Sequence, residues 1–142
     1  MDVCKLFVVD DDCYTLELID IMLQDDPKFK ITKFSDSPRA LNAIYDEKPD
    51  IVILDINLPK MNGFEICQEI KSKPETSSVS IILLTAYDSS HAKHEGLMKY
   101  NADYYLTKPV TRDTLVKCIE NIIQIKSKKA PTGRNPIISS CI

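Results

Sequence analysis

Five side chains in this sequence have the types and the placement to do chemistry together: Asp10, Asp11, Asp55, Thr85 and Lys108. Each follows or closes a short apolar run, so in a parallel sheet they would gather at one edge, where open α/β folds place their ligands. Carboxylates brought within ~4 Å of one another repel by ~4 kcal/mol per pair at an effective dielectric near 20, so such a site must hold a cation or a proton. A hard divalent cation suits it best. Mg²⁺ prefers oxygen ligands, keeps several waters and can leave one coordination position for a phosphoryl oxygen. The Lys108 ammonium would then balance a second oxygen of that group and the Thr85 hydroxyl a third.

Each residue also has a plainer reading. Asp10 to Asp12 could cap a helix and complement its dipole, although capping requires only one side chain. Asp55 could be a turn residue, Thr85 a β-former ending its strand, and Lys108 a solvated lysine. Their joint occurrence at four strand ends is what favours chemistry.

The elements that must position these residues are legible in the patterning. The centre is Pro49 to Gly63, PDIVILDINLPKMNG, where Ile51 to Leu54 reads as a strand buried on both faces. Cys4 to Val9 is a second buried strand, followed by a helix from Asp12 to Asp25 with Leu16, Ile19 and Leu23 on one stripe. Pro27 ends it, and Phe29 to Phe34 alternates as a half-buried strand. Ser37-Pro38 opens the second helix, Ser as N-cap and Pro at the first helical position, with Ala40, Leu41 and Ile44 inward. Lys48-Pro49 breaks it. A third helix runs from about Gly63 to Lys73 with a stripe of Phe64, Cys67 and Ile70, and Ile66 alongside. Val79 to Leu84 is the fourth strand, Asp88 to Ser90 cap a fourth helix through Lys99, Ala102 to Leu106 is the fifth strand, and Thr111 to Lys126 the last helix. Alternating strands and helices imply a five-stranded doubly wound parallel sheet of the α/β class.

At 142 residues the chain has the size of one domain. Its 44% hydrophobic and 27% charged residues are ordinary for a globular protein, and no apolar run is long enough to span a bilayer. Membrane insertion is therefore not expected. Asp10 to Asp12 would interrupt any signal-peptide core, so a cytoplasmic location is expected, with the five cysteines reduced and Cys141, in the tail, able to oxidise. The net charge is −3, but Lys126, Lys128, Lys129 and Arg134 fall in the last seventeen residues, and the preceding body carries 14 basic and 21 acidic side chains. That acidic body argues against direct nucleic-acid binding. Residues 1–126 are read as the domain and 127–142 as a basic, mobile tail.

VVDDD at Val8 to Asp12, ILDINLPKMNG at Ile53 to Gly63, LLTA at Leu83 to Ala86 and ADYYLTKP at Ala102 to Pro109 stand in one order and register. In these motifs the chain, over about residues 3 to 126, resembles the receiver domains of two-component response regulators, including the single-domain chemotaxis type. The resemblance implies a flavodoxin-like sheet of order 2-1-3-4-5. It implies that Asp55 accepts a phosphoryl group from a histidine kinase or phosphotransfer protein, with Mg²⁺ held by Asp10, Asp11, Asp55 and the backbone carbonyl of Asn57. Thr85 and Lys108 would bind the phosphoryl oxygens, and Tyr105 would be the switch aromatic, turning from solvent to a buried position. A downstream protein would read the face of the fourth helix, fifth strand and fifth helix. Lys108-Pro109 is expected to be cis. No enzymatic activity is implied beyond the domain's own phosphorylation and dephosphorylation. Asn62 stands where the family often has Asp, and Tyr87 at a variable position. The chain would be either a stand-alone receiver or part of a larger regulator or hybrid kinase.

Two other classes remain. Haloacid dehalogenase-like phosphatases also form an aspartyl phosphate at a strand end, but their nucleophile is followed two residues later by an acid/base Asp, where this chain has Asn57. A phosphorylation-independent interaction module of the same fold would be separated by Mg²⁺ titration. With glycine only at 63, 96 and 133, neither a GxGxxG nor a P-loop can be written. His91 and His94, three residues apart, could be metal ligands, but no third ligand is evident nearby and solvated histidines are the simpler reading.

Overall fold

The computed structural model describes residues 3–86 and 93–128. Ten elements follow in chain order: β1 (Cys4–Val9), α1 (Cys13–Leu23), β2 (Phe29–Phe34), α2 (Ser37–Glu47), β3 (Ile51–Leu54), α3 (Gly63–Ser72), β4 (Ser80–Thr85), α4 (Glu95–Lys99), β5 (Tyr104–Thr107) and α5 (Arg112–Lys128). The strands form one sheet of order β2-β1-β3-β4-β5, every neighbouring pair parallel. The expected doubly wound α/β architecture and strand order are both present.

Alternation along the strands sorts the core into two layers. Leu6, Val8, Ile51, Ile53, Ile82, Leu84, Tyr104 and Leu106 pack with the stripes of α1 and α5, including Leu16, Ile19, Leu115 and Ile119. Phe7, Val9, Val52, Leu54, Ile81, Leu83 and Tyr105 pack on the other face with Ala40, Ile44, Ile66, Cys67 and Ile70 of α2 and α3. β1, β3 and β4 contribute side chains to both core layers, which is why their runs are almost wholly apolar, Lys5 excepted. β2, at the edge, keeps the half-buried pattern.

Several boundaries differ from the sequence reading. The N-cap of α2 is Asp36, whose Oδ2 accepts from Arg39 N at 3.1 Å, and not Ser37. Ser37 instead turns inward and its hydroxyl donates to the Pro59 carbonyl at 3.0 Å, tying α2 to the loop after β3. Pro38 is tolerated there because first-turn N–H groups have no intrahelical acceptor. β4 lies one residue later than read, and β5 begins at Tyr104, after Asp103, whose carboxylate accepts from Ile81 N at 2.7 Å. In α3 the buried stripe centres on Ile66, Cys67 and Ile70, while Phe64 is half-buried and stacks on Tyr100 at 4.8 Å. α4 is wound as a π-helix, which hydrophobic periodicity could not have distinguished over so short a span. α5 continues to Lys128, past the boundary placed at residue 126. The helix caps assigned to Asp88 to Ser90, together with Tyr87, His91, residues 129–142 and Cys141, lie outside the described residues. His94 is exposed.

Candidate functional site

The run of three aspartates divides its labour. Asp12 caps α1, its carboxylate accepting from Tyr14 N at 3.0 Å and from the Thr15 hydroxyl at 3.1 Å. Asp10 and Asp11 are thereby left for the sheet edge. Asp10 is held at the last rung of β1, its N–H donating to Phe34 O at 3.1 Å, and Asp55 at the last rung of β3, its N–H donating to Val9 O at 3.0 Å. Lys108 is fixed in the same manner, its N–H donating to Thr85 O at 2.8 Å, and the Lys108-Pro109 peptide is cis.

These anchors bring the side chains together. Asp10, Asp11 and Asp55 each offer a carboxylate oxygen within 4.8 Å of the others. Asp10 is 2% exposed and Asp55 7%, while Asp11 faces solvent. Lys108 Nζ bridges the two buried carboxylates, 2.8 Å from Asp10 Oδ2 and 3.4 Å from Asp55 Oδ2. Thr85, fully buried, ends β4 between them and β5. Asn57 is exposed beside the site, its N–H 3.4 Å from Asp55 Oδ1.

The electrostatics follow from this packing. Burial pushes the Asp10 carboxyl above its ordinary 3.8 and the charge of Asp55 adds to that, against hydrogen bonds from Lys108 and from Asp12 N–H. For Lys108, burial opposes the charged form, yet the hydrogen bond and charge of Asp10, with those of Asp55, hold its ammonium above 10.5. Three carboxylates are thus faced by one ammonium. The donor set is all oxygen, with no thiolate or imidazole, and so fits a hard dication such as Mg²⁺.

Gly63 is a site residue whose reason the sequence reading missed. The sequence places it simply at the start of the third helix, but a β-carbon there would collide with the Asp55 carbonyl oxygen and stand 2.8 Å from Ile56 Cα. Its N–H donates to Ile56 O at 2.9 Å, so the start of α3 is pressed against the backbone that carries Asp55. Asn62 supports this junction through a reciprocal cap with Glu65, which the N-x-x-E spacing could have signalled. Tyr105 lies on the same sheet face as Thr85 and is 5% exposed. The solvent-facing starting position expected for it is therefore not the one found, because the ring completes the core layer beside α3.

A model of the response regulator receiver domain matches residues 6–120. The chain belongs to this family. Among its relatives, the probable transcriptional regulator ycf27 of Guillardia theta is 36% identical over 126 residues, which are 89% of this chain and 48% of that protein. The chain thus spans about half the length of that relative. A receiver domain from Clostridium thermocellum is 31% identical with a TM-score of 0.80, the match covering 88% of this chain and 98% of that one. The BeF3-activated receiver domain of DrrB, a Thermotoga maritima protein, is 30% identical with a TM-score of 0.77, covering 86% and 98%. This receiver domain is accordingly a component of two-component signalling, and among its described residues no helix is long and apolar enough to cross a membrane.

Proposed function

We propose that this receiver domain takes a phosphoryl group onto Asp55 from a histidine kinase or phosphotransfer protein and thereby switches a face read by a downstream protein. The observation that carries the reading is the cluster itself: two buried carboxylates and a third at the surface, with Lys108 lying across the two buried ones. An Asp55 carboxylate oxygen attacks the phosphorus of a phosphohistidine. The P–N bond breaks, and its electron pair stays on the imidazole nitrogen. Mg²⁺, when bound, would supply positive charge to the phosphoryl oxygens and lower the repulsion between anionic nucleophile and anionic donor. Asp10 and Asp11 would hold it with Asp55 and the Asn57 carbonyl. Lys108 stays protonated in this setting and is within reach of Asp55 to pair with a phosphoryl oxygen. The domain acts on no separate substrate, and its acidic body works through protein contacts in the cytoplasm and not through nucleic acid.

The added charge of about −1.5 to −2 would draw the Thr85 hydroxyl toward the phosphoryl group. Thr85 and Tyr105 share a face, so this movement biases Tyr105 between its inward position and an outward one, changing the surface of α4, β5 and α5. Charge-assisted hydrogen bonds contribute about 1.5 to 3 kcal/mol each, so two of them, from Thr85 and Lys108, would suffice to make a state populated at a few per cent the major one.

Mass spectrometry after incubation with acetyl phosphate and Mg²⁺ tests the acceptor: an adduct should map to Asp55 and require the cation. An interaction module that does not use phosphorylation would show neither the adduct nor saturable Mg²⁺ binding. The switch has its own test. Thr85→Ala should still be phosphorylated, yet lose most of the chemical-shift response of α4 and α5 to beryllofluoride; an equal response in both proteins would sink the coupling.

A further inference from the structure

At the opposite, amino edge of the sheet, a cavity of about 710 Å³ opens between the start of β1 and the last turns of α5. Val3, Ile51, Ile122 and Ile123 give it an apolar wall, and Cys4 and Lys126 put a thiol and an amine into it. Lys126 differs from the lysines around it. Lys28 pairs with Glu120 at 3.0 Å, Lys71 with Asp103 at 3.3 Å and Lys5 with Glu47 at 3.2 Å. The Lys126 Nζ instead donates to a neutral acceptor, the Asp50 carbonyl, at 2.8 Å, and among the described residues no carboxylate lies within ion-pair distance of it. The Asp50 carboxylate is turned to the backbone, accepting from Lys5 N at 2.8 Å.

We propose that this cavity is a modification site in which the Lys126 amine takes the acyl group of a small acyl phosphate. The nitrogen lone pair attacks the acyl carbon and forms the amide N–C bond. The bond from that carbon to the bridging oxygen breaks, inorganic phosphate leaves with the electron pair, and the surplus proton of the amine passes to water. The apolar wall would receive the acyl chain. The amine is prepared for this by its surroundings: burial lowers its proton affinity, Lys71 lowers it further, and Asp50, Asp103 and Cys4 only partly oppose them. Neutral amine is therefore available at a pH where solvated lysines are almost wholly protonated. The neighbouring thiol does not compete, because burial pushes Cys4 up to about 11. Acylation would replace an ammonium that ties α5 to the start of β3 by a neutral amide.

The intact chain, incubated with acetyl phosphate and excess chelator, provides the test. Acyl transfer marks the Lys126 peptide and phosphoryl transfer the Asp55 peptide, so the two chemistries are read separately. At about pH 7.5, Lys126 should be acetylated roughly threefold or more faster than the exposed Lys30 and Lys117, an advantage that shrinks as pH approaches the ordinary lysine value. Val3→Trp, which narrows the mouth from an exposed position, should slow Lys126 and leave Lys30 unchanged. A Lys126 rate no greater than that of Lys30 at every pH, or one indifferent to Val3→Trp, would overturn the proposal.

Discussion

The two edges of the sheet use the same residue types for opposite ends. At the amino edge, the Asp50 carboxylate accepts from Lys5 N at 2.8 Å, and that of Asp103 accepts from Ile81 N at 2.7 Å while Lys71 lies 3.3 Å away. Each charge there completes a strand ladder, and its desolvation is offset by a backbone donor. At the carboxyl edge, Asp10, Asp11 and Asp55 face one another and share Lys108. Asp10 does accept from Asp12 N at 2.9 Å, but among the described residues the Asp55 carboxylate meets no backbone donor other than Asn57 N, at 3.4 Å. The difference separates structural carboxylates from chemical ones. The former are satisfied by the fold, whereas the latter are left short of positive charge, and that shortfall is what a cation and a phosphoryl group would exploit.

The sharpest way to break this comparison is Asp55→Asn, which should abolish phosphoryl uptake from acetyl phosphate while leaving the fold intact. An adduct that persists in the variant by intact-mass measurement would mean that the carboxyl edge is not specialised as argued. Asp103→Ala should do the reverse, keeping phosphoryl uptake but lowering stability by about 2 kcal/mol in urea titration, since it leaves the Ile81 N–H unpaired and removes the one carboxylate paired with Lys71, which keeps its bonds to the Ser77 and Val79 carbonyls. Unchanged stability would remove the structural role from the amino edge.

Asp11→Ala is expected to have a smaller effect on the fold. It should weaken Mg²⁺ binding in calorimetry, and it should raise metal-free stability by only about 0.5 kcal/mol, because Asp11 is exposed and its repulsion is screened by solvent. Retained Mg²⁺ affinity would count against a cation site at the acidic cluster.

The smallest effect concerns two lysines shifted in opposite directions. Lys108 is held above 10.5 by its carboxylates despite burial, so its contribution to stability is fully present below 10.5 and is lost as pH rises through its folded value. Lys126 is lowered, chiefly by burial, so the folded chain releases that proton before the unfolded chain does. Its contribution therefore grows with pH between the lowered value and 10.5. Urea titrations from about pH 8 upward should show Lys126→Met with a less positive slope of stability against pH than wild type. Identical slopes would place Lys126 in an ordinary solvated setting.

Much of this was legible in the chain before any coordinates. Continuous apolar runs at Val8-Val9, Ile51 to Leu54 and Ile81 to Leu84 specify strands buried on both faces, and residues at their ends must share an edge once the sheet is parallel. Apolar spacing in α1, α2 and α3 identifies faces that cover it. These are properties of local periodicity and of the rule that parallel strands need crossovers, so sequence suffices for them. What tertiary structure decided is which of several equivalent side chains does what. Nothing local separates Asp12, the cap of α1, from Asp10 and Asp11, or Asp36 from Ser37 as the cap of α2; the choice depends on which oxygen finds a donor after packing. Gly63 reads as the first residue of a helix until the Asp55 carbonyl arrives against its Cα, and Tyr105 as a solvent-facing aromatic until it joins the core layer on the α2 and α3 face of the sheet. The charges of Asp103 and Lys126 acquire meaning only when residues far apart in sequence meet at one sheet edge. Long-range approach sets burial, and burial sets whether a charge is satisfied, shifted or poised to react.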